Sequence, residues 1–281
     1  MLAMLGILGV TMSAIMLIDG DDETDAEPAN TASEDDPGDE DEVLTIGDLV
    51  DTMDEDMVLF SGDADDSVFG GHGDDYIDGE GGADTLFGNA GDDELHGGAG
   101  DDQLDGGEGR DNLFGHIGDD VLIGQAGDDN LNGGGGDDQL IGGDGNDMLL
   151  GSLGDDVLIG GNGADTLHGG SGDDIIDDSA DQTRDFLNGG AGDDVLSGGI
   201  NDVLNGGTGA DRFLLHLASD AIIEDFSPSE DSLEVNYSGT PPTLSTAMSD
   251  GGLVLLADGV AVATLANVSD LDLSDVVLVA E

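Results

Sequence analysis

The chain is 281 residues long and sets 67 acidic residues against three basic ones, Arg110, Arg184 and Arg212, for a formal charge of −64. Such a molecule repels nucleic acid and anionic surfaces as it repels itself, so nucleic acid is excluded as a partner. Cysteine is absent, which excludes disulfides and thiolate metal sites and leaves oxygen, or the five histidines, to hold any metal.

In chain order, residues 1–18 come first, almost wholly apolar and without a single Lys or Arg. That stretch lacks the charged start of a secretory signal and is marginal in length for a bilayer span. Three readings stay open: a membrane anchor that gives the protein membrane contact, a segment packed on the fold or on a partner, and an atypical signal peptide. Residues 19–42 are dense in Asp, Glu, Pro, Ser and Thr, the composition of an extended, disordered acidic linker. Apolar residues return over 43–60, and this stretch is expected to cap the open end of a repeat array that starts at Ser61.

From Ser61 onward the chain repeats every nine residues. Asp66, Asp75, Asp84, Asp93, Asp102, Asp111, Asp120, Asp129, Asp138, Asp147, Asp156, Asp165 and Asp174 stand in unbroken register, each followed two residues later by an aliphatic side chain. Asp185, Asp194, Asp202 and Asp211 extend the series less regularly. The unit reads Gly-Gly-x-Gly-x-Asp-x-aliphatic-x. Its x-aliphatic-x part is a short strand whose middle side chain faces a core, and its first six residues form a turn in which glycine supplies positive φ. Two units make one coil of a flattened spiral, so residues 61–212 are expected to form a parallel β-roll in an all-β protein. The 51 glycines and 3% aromatics would otherwise describe a disordered chain, and a bound cation reverses that expectation. Stacking at about 4.8 Å puts the aspartates of units n and n+2 above one another in two columns. Such columns repel unless a cation lies between them, and carboxylates with glycine carbonyls are the donor set of Ca²⁺ rather than of Mg²⁺. Pairing n with n+2 gives about 11 sites in the regular block and at most about 15 overall. Two irregularities, the eleven-residue unit around 178–188 and a missing residue near Ile200, are expected to interrupt the stack.

Residues 213–281 form a β-rich C-terminal cap in this reading. Ala221-Ile222-Ile223, Leu233-Glu234-Val235 and the run from Leu253 to Leu265 are strand-like, and Asp258-Gly259 is suited to a type I′ hairpin turn. The histidines His72, His96, His116, His168 and His216 show no zinc-binding spacing. No catalytic motif is found, so the protein is expected not to be an enzyme.

The nonapeptide resembles the repeat of the RTX family, a recognised calcium-binding β-helix motif. The resemblance implies that the seventeen aspartates named above bind Ca²⁺ together with backbone carbonyls of the turns. Departures are Ala64 for the glycine of the first unit, and Glu80, Asn89, His116, Gln125 and Ser152 for the second glycine of theirs. The segment Ile222 to Leu233 resembles the one that comes after the repeats in such proteins. Asp275-Val276-Val277-Leu278-Val279 resembles a type I secretion signal, and equally suits a final capping strand. The resemblance thus implies an extracellular protein exported by type I secretion machinery, freely secreted or held at the surface. Its alternatives are a structural or adhesive protein that reaches a cell surface or polysaccharide through calcium bridges, and a non-catalytic accessory of an RTX enzyme.

Overall fold

In the computed structural model, residues 56–280 are described, together with the backbone of Ile15–Leu17. Among the described residues there is no helix, and the strands form two sheets, of 14 and 11 strands, which are parallel throughout the array. The chain alternates between them: Asn112–Ile117 lies in one, Val121–Ala126 in the other, and Asn130–Gly135 returns to the first. Leu131 pairs with Leu113 and Leu149, so each coil takes two units, as the nine-residue period predicts. The aliphatic side chain of every unit points between the sheets. Leu86, Leu95, Leu113, Leu122 and Leu140 are completely buried, and they run in two facing columns. Such a leucine cut to alanine loses about 2–5 kcal/mol, so this narrow core contributes strongly for its size.

The strands are longer than the expected three residues. Most span six, because pairing resumes beyond the first glycine of the next unit: Ile141 pairs with Ile159, Gly142 is passed over, and Gly143 pairs with Gly161. The passed-over glycine is buried and sits at the bend where the sheet rolls into the turn. Sequence periodicity registers only the half of the strand that carries an aliphatic side chain.

The ends differ in how they close. Val58–Phe60 is itself the first strand of the array, paired with Tyr76–Asp78, with Met57 and Leu59 in the core. Ile15–Leu17 pairs in parallel with Val58–Phe60. The rest of the apolar N-terminal segment, the acidic linker and residues 43–55 of the expected cap lie outside the described residues.

At the other end the coil runs on into the cap. Ser232–Tyr237 stacks on Arg212–His216, and Val276–Ala280 stacks on Ser232–Tyr237, so the C-terminal segment is a strand. Ala221–Ile223 stacks on Val203 and Leu204, and Val260–Leu265 stacks on Ala221–Ile223. There the sheet turns antiparallel through the hairpin of Gly252–Ala257 and Val260–Leu265. Asp258 and Gly259 have φ of 51° and 83°, the two positive values that a type I′ turn requires. The edge strand of that sheet, Leu244–Ser249, is mostly exposed and has no hydrophobic alternation, which is why the sequence did not announce it.

Candidate metal centre

Each turn is built from six residues whose backbones stack on the turn 18 residues away. At the second position φ is positive whatever the residue: Glu80, Asn89, His116, Gln125 and Ser152 take values from 63° to 88°. These side chains therefore replace glycine without altering the turn. The fourth position is stricter, because a Cβ on Gly127 would overlap the carbonyl of Gly109 below it.

The aspartate that ends each turn is used almost completely by the stack. Its carbonyl accepts the N–H of the residue after the next aspartate in its column, as Asp84 does from Gln103 at 2.8 Å. Its Oδ1 accepts the N–H of the aspartate one coil earlier. One column runs from Met57 through Asp75, Asp93, Asp111, Asp129, Asp147, Asp165 and Asp185 to Asp202, with bonds of 2.7–3.1 Å. The other runs from Asp66 through Asp84, Asp102, Asp120, Asp138, Asp156, Asp174, Asp194 and Asp211 to Asp231, at 2.8–3.0 Å. All seventeen aspartates singled out in the sequence thus fall in two columns, one on each edge of the spiral.

Oδ2 is left over. It is buried and without a hydrogen-bond partner in the twelve regular aspartates from Asp75 to Asp174, and in Asp178, Asp185 and Asp194. It fills the place where the first glycine of the turn would carry a side chain: a Cβ on Gly124 would lie 2.5 Å from Asp129 Oδ2 and 2.7 Å from the Gly142 carbonyl. A buried anionic oxygen without a donor is costly, and here it recurs up both columns. Burial pushes Asp93, Asp111, Asp138, Asp147, Asp156 and Asp174 up to about 7, and Asp75, Asp84, Asp120 and Asp194 up to about 6. Their backbone N–H donors pull the other way, while neighbouring carboxylates add to the rise. Unpartnered carboxylate oxygens beside glycine carbonyls are what a hard oxygen-seeking divalent cation such as Ca²⁺ takes up. The donor set therefore fits calcium, for which the carboxylates of these two columns would be the anionic ligands.

The two irregularities do not interrupt the stack as expected. Thr166 pairs with Phe186 and Phe186 with Val203, so coils of 20 and 17 residues keep register. The additional residues leave the coil as a bend over 179–184, which leaves the strands on either side in line. Stacking requires only that Asp-x-aliphatic return to its place. The short coil alters the donor set instead, because Gly199 N–H donates to Asp202 Oδ2 and occupies that oxygen.

Three features were missed in the sequence. Asp178 brings a carboxylate oxygen within 4.8 Å of one from Asp165 and one from Asp185; its position, where a regular unit has its first glycine, was the available signal. Asp231 is the last rung of its column and is followed by Ser232-Leu233, the same Asp-x-aliphatic spacing. The fifth position forms a second, exposed ladder in which Oδ1 of Asp74, Asp92, Asp101, Asp119 and Asp137 accepts the N–H one coil later. This ladder explains the doubled Asp-Asp of many units. Of the histidines, His96 and His116 meet on the outer face, with ring nitrogens 2.9 Å apart and Glu94 2.9 Å from His96 on the other side.

A family model described as RTX calcium-binding nonapeptide repeat (4 copies) matches residues 58–86, 78–113, 114–149, 150–177 and 179–213. No curated protein matches. Among solved structures, the solution structure of the AlgE6R3 subunit of the mannuronan C5-epimerase from Azotobacter vinelandii is 27% identical, with 46% of this chain and 78% of that one covered and a TM-score of 0.29. The crystal structure of the extracellular lipase LipA from Serratia marcescens is 18% identical, with 66% of this chain and 40% of the lipase covered and a TM-score of 0.25.

Proposed function

The chain belongs to the RTX calcium-binding nonapeptide repeat family, and on that premise we propose that it is a non-enzymatic protein exported through a type I pathway, in which calcium outside the cell drives the array to coil. The observation that carries this reading is the pair of columns of buried, unpartnered carboxylate oxygens. In low calcium those charges repel and the chain stays extended; calcium between them turns repulsion into cohesion, so that binding free energy becomes folding free energy. Sites of about 10⁻⁴ to 10⁻³ M, the range of extracellular modules, suit such a switch. Even 15 ions, adding 30 charges, would leave the formal charge of −64 at about −34, so the coiled form stays highly soluble.

Calcium titration followed by far-UV circular dichroism tests the reading. Because neighbouring coils couple, Asp120→Asn in the uninterrupted centre is expected to raise the calcium midpoint several-fold. Asp211→Asn, whose neighbour is the already bonded Asp231, is expected to raise it less. Equal shifts would contradict the stacked-site account, and a far-UV spectrum indifferent to calcium would remove the function. Mass spectrometry of the fractionated host tests the location: the intact protein is expected in the medium or at the cell surface, and confinement to the cytoplasm would refute export.

A second reading is favoured by the exposed fifth-position ladder, which presents carboxylates along the outside of the rod. There calcium could bridge the rod to an anionic cell envelope or polysaccharide. Calcium-dependent retention on cells but not on inert beads is the result that supports it.

A further inference from the structure

Asp178 stands where the regular unit has its first glycine, 18 residues after Gly160. A Cβ on Gly160 would overlap Asp178 Oδ2 and lie 2.7 Å from Asp165 Oδ2, so the additional carboxylate enters the pocket beside a regular one. Asp165, Asp178 and Asp185 are 0%, 2% and 0% exposed, and in all three Oδ2 is buried without a partner. The other oxygens are committed: Asp178 Oδ1 accepts Gly161 N–H at 3.2 Å, Asp165 Oδ1 accepts Asp147 N–H at 2.7 Å, and Asp185 Oδ1 accepts Asp165 N–H at 2.9 Å. Among the described residues no basic side chain pairs with any of them. Three inward-facing anionic oxygens therefore share one buried space, where consecutive rungs of a regular column provide two.

Neutral oxygens of the bend converge on Gly199. A methyl there would sit 3.2 Å from the Asp178 carbonyl and 3.4 Å from that of Asp181. Asp181 is fixed by Gly163 N–H at 2.9 Å and by its own bonds with Thr183. The bend that absorbs the additional residues thus also brings two backbone carbonyls together beside Gly199. Calcium affinity rises with the number of charged ligands and with the rigidity of the site.

We propose that Asp165, Asp178 and Asp185 form a calcium site distinct from those of the regular turns, tighter than they are and filled first. The proposal rests on calcium binding by the array and adds an order of filling that the repeat does not contain. Native mass spectrometry of the full chain titrated with CaCl₂ reads both. One equivalent is expected to bind at a concentration about tenfold or more below that of the others, in line with the spread that ligand charge produces among oxygen-ligand sites. Asp178→Gly, which restores the regular residue, and Asp178→Asn, which keeps the shape without the charge, are both expected to lose that equivalent and retain the rest. A wild-type chain without an early equivalent, or an early equivalent that survives in both variants, overturns the site and leaves the calcium-binding array standing. No calcium uptake by any of the three chains overturns both.

Discussion

Withdrawing calcium at about pH 8 is expected to unfold the array, and acidifying the calcium-free chain to about pH 5 is expected to restore part of the coil. The direction comes from the buried columns. Burial raises Asp93, Asp111 and Asp138 to about 7 in the coil, whereas in an unfolded chain an aspartate titrates near 3.9. Between those values the coil holds protons that the unfolded chain has released. Its calcium-free stability is therefore fully present below about pH 4 and is lost as the pH rises through 6 to 7. With calcium the slope reverses, because the ion must displace those protons, and the calcium midpoint should rise as the pH falls. Circular dichroism at several pH values, with and without chelator, measures both slopes. A chelated chain that stays coiled at pH 8, or one that loses structure on mild acidification, would refute the account.

A single methyl group is expected to have the next largest effect. In Gly127→Ala the new Cβ meets the Gly109 carbonyl at a residue whose φ is +151°. The clash is with backbone of the neighbouring coil, which cannot move without breaking its own stack, so the loss should exceed about 3 kcal/mol. Two residues earlier, Gln125 already holds φ of 77° with a side chain, and Gln125→Ala should cost less than about 1 kcal/mol. Urea unfolding in saturating calcium compares them. Equal losses would mean that the glycine at the fourth position is kept for its flexibility and not for the closeness of the coils.

These two effects mark what was readable in the amino-acid string. A nine-residue period with one aspartate and one aliphatic per unit contains the coil length, the core columns and the two edges, because both residue types are forced to their places by burial. Asp258-Gly259 was readable for a local reason, since few residue pairs accept two positive φ values. The second half of each strand was not, because two glycines and a variable residue leave no hydrophobic trace. Asp178 hid at the edge of an insertion: a lone aspartate in an acidic stretch acquires meaning only when the coil brings Asp165 and Asp185 to its side. The expected break in the stack failed to appear for a related reason. Register is set by hydrogen bonds between coils, and a bend between two strands can lengthen without touching them.

The 18-residue bond pattern also bears on how such a molecule changes size. Every regular coil presents one fixed row of donors and acceptors to the coil before it and the complementary row to the coil after it, so any cut between coils can be rejoined to any other. Losing or duplicating a whole coil would mend both ladders without a seam and change the ion capacity in proportion. Losing a single unit would also mend them, but it would turn the two ends of the rod half a revolution relative to each other. Length is thereby an adjustable quantity in this architecture, while the relative orientation of whatever the two ends carry comes in only two settings.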